Sequence, residues 1–244
     1  MPTQESTAAK PMNVRCSEGF IPPSGLVRRI RSALRWIDPA DLEGIDFVFL
    51  FDDVPPVTPG KNREAEEAIR DGLLLFAAYK ARNERWPAHI MLITRTLYKP
   101  VPRFLQHSPA LTLWIAENIA HEVGHHVIAE RRFTFRPKTD GSGTETEEEF
   151  ADHYADSIIS KMKSSPVYKF GSMLLKVAAQ LNYYKGARSW KKGAYQTAAG
   201  YFYLATQLQQ NHRKASYWYW RATAKASEQS AAHSPTITKE VAAV

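Results

Sequence analysis

The strongest constraint on this chain is one segment, Ala110 to about Arg132, whose apolar residues recur at helical spacing behind Pro109, a residue suited to a helix's first turn. Within it stands His121-Glu122-Val123-Gly124-His125. Residues four apart share a helix face, so His121 and His125 can aim two imidazole nitrogens at one point, an arrangement zinc accepts at about 2.0–2.1 Å. Glu122 flanks that point without having to be a ligand, and from there it can take a proton from a metal-bound water. Gly124 costs roughly 1 kcal/mol of helix propensity against Ala, so its place in a helix interior implies close backbone approach by another element.

Two histidines leave zinc two ligands short of a tetrahedron, and a catalytic site needs a third protein ligand with one position open for water. The next helical segment supplies Glu148-Glu149-Phe150-Ala151-Asp152, in which Glu148 and Asp152 lie one turn apart on one face. Ala151 and Ala155 keep that face small enough for two helices to approach. Thr144 with Glu147, or Thr146 with Glu149, offers a capping box, so this helix is predicted to begin near Thr146 and run to about Lys163. The loop from Thr134 to Gly143 holds Pro137, Gly141 and Ser142, and the connection from Arg132 to Thr146 is long enough to reverse the chain. Glu148 is the expected third ligand, and Asp152 the expected acceptor for the free N–H of a ligand histidine. Glu147 and Glu149 read as solvated first-turn charges. His126, about 100° around the helix from His125, reads as a surface or supporting residue, and His89, His107, His212 and His233 have no partner at metal spacing.

With these residues in place, the chain resembles the gluzincin-type zinc metallopeptidases, whose HExxH helix is completed by a Glu from a following helix. Glu148 to Ala155, with Ala151, Asp152, Tyr154 and Ala155, is similar to the E-x-x-A-[ND]-x-[FY]-A pattern of the ImmA/IrrE-like metallopeptidases. The resemblance covers roughly residues 88 to 163. It implies one zinc ion per chain, hydrolysis of a peptide bond, often in a regulatory protein, and Glu122 as general base that hands its proton on to the leaving amine. It also implies an edge strand just before the HExxH helix, with substrate added along it as an extended strand. His89 to Leu97 is placed to serve. Such enzymes usually carry a Tyr or His donor for the tetrahedral oxyanion; His153, Tyr154 and Tyr168 are the candidates, undistinguished by sequence.

Residues 1 to 24, polar and broken by Pro2, Pro11, Pro22 and Pro23, are expected to be mostly unordered. Leu26 to Ile37 has the spacing of an amphipathic helix and Glu64 to Arg82 is read as helical, while Ile45 to Phe51 and Ala88 to Leu97 are β-type runs. The expected fold class is therefore α+β and α-rich. A zincin-like domain over 25–165, with a small sheet backing the two metal-binding helices, precedes a basic, aromatic-rich helical region over 166–226 and a flexible tail over 227–244. The stretch Ala215 to Ala222 is reminiscent of the second helix of a tetratricopeptide or Sel1-like repeat, though one copy cannot bury its own faces.

Charge is unevenly distributed. The net +7 of the 244 residues divides into +3 over residues 1 to 40, −7 over 41 to 160 and +11 over 161 to 244. A basic third attached to an acidic middle raises a rival from another class: a non-catalytic regulator in which the metal staples two helices while the basic helices bind nucleic acid or a protein partner. For the C-terminal aromatics a place in the core is the preferred reading over a base-stacking platform. Cys16 is the only cysteine, which excludes an intrachain disulfide and a thiolate-only metal site and points to a reducing compartment. The longest apolar run, Leu73 to Tyr79, falls far short of the roughly 20 residues a membrane span needs. No signal peptide is read at the start, so a cytoplasmic location is expected.

Overall fold

A computed structural model describes residues 12–53, 76–131, 146–210 and 212–233. Their fold is α+β and dominated by helices, in two compact units divided between Leu174 and Leu175. No helix among the described residues is long and apolar enough to cross a membrane.

The first unit is built on a four-stranded mixed sheet of β1 (Asn13–Cys16), β2 (Phe47–Phe51), β3 (Ala77–Lys80) and β4 (His89–Ile93), in the order β1-β2-β4-β3. β2 pairs parallel with both β1 and β4, and β3 pairs antiparallel with β4. The two central strands read Phe-Val-Phe-Leu-Phe and His-Ile-Met-Leu-Ile, the near-continuous apolar runs expected of strands covered on both faces. Parallel β1 and β2 need a crossover, and α1 (Leu26–Leu34) supplies it, burying Leu26, Ile30, Ala33 and Leu34.

After the short helix α2 (Thr94–Tyr98) comes α3 (Pro109–Arg131), the long helix foreseen from Pro109. Its first half is mostly apolar, with Leu111, Leu113, Ile115, Ile119 and Ala120 fully buried. The Trp114 indole donates to the Leu97 carbonyl at 2.9 Å, so its polar edge is satisfied inside the core. Next is α4 (Glu147–Lys163), started by Thr146 through a complete capping box with Glu149, the second of the two boxes the spacing allowed. α3 and α4 meet at Gly124: a Cβ there would lie 2.7 Å from the Ala151 Cα and 3.1 Å from its Cβ.

The division between units falls within α5 (Pro166–Lys191), and α6 (Tyr195–Leu208) and α7 (Arg213–His233) complete the second unit. Here Phe202, Ala198, Ala199 and Ala222 form a small core lined by Tyr183, Trp190, Trp218 and Tyr219. Much of the C-terminal aromatic content is thus core, as expected.

Several boundaries differ from the sequence expectation. Asn13–Cys16 lies inside the segment expected to be mostly unordered, yet it is held as an edge strand by a four-residue parallel ladder on β2. The helix expected over Glu64 to Arg82 meets a strand at Ala77–Lys80; most of the remainder, residues 64–75, lies outside the described residues. Ala77-Ala78-Tyr79-Lys80 carries no alternation that separates strand from helix, and pairing with β4 decides it. The strand expected over Ala88 to Leu97 stops at Ile93, where α2 begins, and α7 continues to His233 through the stretch assigned to a tail from residue 227.

Gly124 supplies a direct test of the helix contact. In an open helix Gly→Ala would stabilise by roughly 1 kcal/mol, whereas a methyl group driven into an α4 backbone atom costs about 1–3 kcal/mol or more. The clash is with backbone, so it wins. Gly124→Ala should lower the urea midpoint; a variant as stable as the parent would show that the helices are free to separate.

Candidate metal centre

α3 and α4 bring His121, His125 and Glu148 together, each offering one ligand atom within 4.8 Å of the others. The two Nε2 atoms are 3.1 Å apart, and Glu148 lies 3.4 Å from His121 Nε2 and 3.6 Å from His125 Nε2 through its two oxygens. Four donors at about 2.0–2.1 Å from a central ion sit at tetrahedral separations of roughly 3.3–3.4 Å. The two Nε2 atoms are close to that separation, while Glu148 meets the two rings through different oxygens; with one ligand atom from each side chain the three groups lie near enough together to hold a metal ion.

The far side of each imidazole is also held. His121 Nδ1 bonds to Asp152 Oδ1 at 3.0 Å, the pairing expected from sequence, and His125 Nδ1 bonds to Glu147 Oε1 at 2.9 Å. A carboxylate on Nδ1 fixes the proton there and turns Nε2 and its lone pair inward. Glu147, read from sequence as a solvated first-turn charge, thus does for His125 what Asp152 does for His121. In a run of three consecutive glutamates the sequence holds no signal for which one reaches a histidine. Glu149 turns to the cap instead, accepting from the Thr146 N–H at 2.9 Å.

Glu122 is buried beside the ligand pair and accepts from the backbone N–H of Tyr79 at 2.5 Å. Burial raises its carboxyl above the usual range, opposed by the two histidines and the Tyr79 N–H, with Glu148 adding to the rise. The Tyr79 contact follows from strand phasing. Ile93 N–H donates to the Phe76 carbonyl, so residues 76, 78 and 80 turn their backbone groups to β4 while Ala77 and Tyr79 turn theirs off the sheet edge.

The edge strand at the site is therefore β3. The expected edge, His89 to Leu97, contributes β4, which is interior between β2 and β3. A sheet partner that the sequence presented as helix displaced it.

His126 is buried and links this edge to the rest of the unit. Its Nε2 lies 2.8 Å from the Glu43 carbonyl, which can only accept, so Nε2 carries the proton and Nδ1 accepts from the Tyr79 hydroxyl at 3.0 Å. Gly44, at φ +94°, allows the close turn: a Cβ there would stand 3.2 Å from the His126 ring. The reading of His126 as a supporting residue holds in this form.

The proposed oxyanion donors are placed differently. Tyr154 donates its hydroxyl to Asp41 Oδ2 at 2.7 Å, and the Tyr168 hydroxyl bonds to Ser32 Oγ at 3.1 Å with its ring edge-on to Trp36. Both hydroxyls are committed to neighbouring elements. His153 is exposed on α4 and stands outside the converging group.

One further acid belongs to this helix pair. Glu117, one turn before His121, has Lys163, Asp156 and Asp152 of α4 as charged neighbours, and burial above all pushes its carboxyl up to about 7 from 4.5. The folded chain keeps a proton there that the unfolded chain releases near pH 4.5, so stability falls as pH rises through that window, by on the order of 1–3 kcal/mol in total. Glu117→Gln should flatten the decline, matching the parent near pH 4.5 and exceeding it at pH 8 in urea denaturation. An unchanged pH slope would place the titration elsewhere.

The supports of the two histidines yield a sharper contrast. Asp152→Ala and Glu147→Ala should each weaken zinc binding about 10- to 100-fold in competition with a chromophoric chelator. Glu149→Ala should cost about 1 kcal/mol of stability through the cap and leave zinc affinity unchanged. Equal losses from all three would mean that only bulk negative charge matters.

Comparison of the chain with protein-family models, with curated proteins and with solved structures finds no match.

Proposed function

We propose that this chain is a zinc-dependent metallopeptidase that hydrolyses peptide bonds of a protein substrate, with Glu122 as general base and proton carrier. The observation that carries the reading is the convergence of His121, His125 and Glu148 with a buried carboxylate, Glu122, alongside and outside that group. A purely structural zinc site closes all four positions with protein ligands, whereas among the described residues the group supplies three. The arrangement of an HExxH helix followed by a Glu-bearing helix also supports membership among the gluzincin-type enzymes that the sequence resembles.

His121, His125 and Glu148 would hold the ion, and zinc bound there would supply a Lewis acid that lowers the pKa of a bound water towards about 7. Asp152 and Glu147 hold the two imidazoles with Nε2 inward, and Gly124 permits α4 to come close enough for Glu148 to take part. Glu122 takes the proton from the attacking water and delivers it to the departing amine; a carboxyl raised by burial suits both halves of that transfer. An extended substrate would align along β3, where the carbonyls and N–H groups of Ala77 and Tyr79 point away from the sheet. The free, half-buried Cys16 in β1 supports a reducing, cytoplasmic setting.

The test separates metal binding from chemistry. Purified chain loaded with one equivalent of zinc is incubated with a peptide library and with unfolded casein, and new termini are read by mass spectrometry. The parent should cleave. Glu122→Gln should retain stoichiometric zinc and lose cleavage at least 1,000-fold, a range set by general base catalysis and its coupling to the metal. His121→Ala should lose both. Cleavage that survives Glu122→Gln would refute the reading.

A further inference from the structure

We propose that the second unit carries a binding surface for single-stranded nucleic acid, centred on Tyr217 and Trp220 of α7. The inference is independent of the metal centre.

Residues 175 to 233 hold nine Lys and Arg against one acid, Glu228, and Glu228 is already paired with Lys225. Such a surface attracts polyanions, but charge alone does not distinguish nucleic acid from an acidic protein. The aromatic side chains do. Phe202, Trp218, Tyr183 and Trp190 are taken up by the core, whereas Trp220 is 70% exposed and Tyr217 56% exposed. They lie three residues apart on α7, with exposed Arg213, Lys214 and Arg221 beside them at helical spacing. From Arg213 to Arg221 this mixed stripe extends about 12 Å along the helix.

Cations and rings are interleaved here. The Arg221 guanidinium stands 5.6 Å from the Tyr217 ring centre and 5.1 Å from that of Trp218, and it donates to the Tyr217 hydroxyl at 2.9 Å. That bond steadies the Tyr217 ring while leaving more than half of the residue open to solvent. An acidic peptide would satisfy the cations but offers no planar partner for the rings. A duplex offers phosphates but keeps its base faces inside the stack. A single strand presents both, phosphates to Arg213, Lys214 and Arg221 and base faces to Tyr217 and Trp220.

The full-length protein is titrated into a fluorescently labelled 20-nucleotide oligothymidylate at about 50 mM salt and followed by anisotropy. Binding should appear, weaken linearly on a log–log plot against salt, and exceed binding to a duplex of equal length. Trp220→Ala, a substitution at an exposed position, should weaken it roughly 5- to 100-fold with an unchanged circular dichroism spectrum. The pair Arg213→Glu with Lys214→Glu should weaken it and flatten the salt slope. Absence of binding, equal binding to the duplex, equal binding to polyglutamate, or indifference to Trp220→Ala would each overturn the proposal; equal capture of polyglutamate would redirect it to an acidic protein partner.

Discussion

Everything at the candidate metal centre depends on how closely two helices can lie. The side chains that face one another across α3 and α4 are short carboxylates and imidazoles, and none of them spans a gap of more than a few ångströms. A hydrogen in place of a methyl at Gly124, opposed by Ala151, removes the obstacle between the two backbones. Once they are in contact, His121 is one turn N-terminal to His125, Asp152 is one turn C-terminal to Glu148, and the four groups come within reach of one another. α4 begins at the capping box of Thr146, and of its three first-turn glutamates Glu148 faces both histidines, Glu147 bonds to His125 and Glu149 serves the cap.

Those relations were legible in unequal measure. His121, His125 and the role of Asp152 follow from helical periodicity alone, because a spacing of four means the same face in any helix. The same period puts Glu148 on one face with Asp152, without deciding which of the three glutamates reaches a histidine. The role of Glu147 does not follow from it, since its reach to His125 depends on the crossing of two helices and not on the spacing along either one. The strand at Ala77–Lys80 was hidden for a related reason: an Ala-Ala-Tyr-Lys run has no intrinsic β signature, and it is β4 that makes it a strand. Reading it as helix promoted His89–Ile93 to the sheet edge, a place the fold gives to β3. The same pairing logic explains β1, whose polar, proline-flanked surroundings suggest disorder until the ladder with β2 is considered. Tyr154 and Tyr168 show the converse limit, because nearness in sequence to a ligand carries no information about the direction of a hydroxyl.

The second unit rests on different chemistry. Its core is made of alanines and large rings, with Phe202 seated against Gly186, so that few aliphatic side chains take part. Aromatic packing tolerates a rim of cations, since guanidinium and ammonium groups gain from ring faces as well as from water. A strongly basic helical unit can therefore fold without the acidic partners that would otherwise neutralise it.

The bond between the Tyr79 amide and Glu122 has a last implication. That amide is one of the outward-pointing groups of β3, so a guest chain that aligns there and seeks the same proton must first displace the carboxylate. Under the proposed function, occupancy of the rail and liberation of the acid oxygen would be a single exchange. Because the amide is among the influences that hold the Glu122 carboxyl down, its loss would increase the group's hunger for protons at the moment a guest arrives.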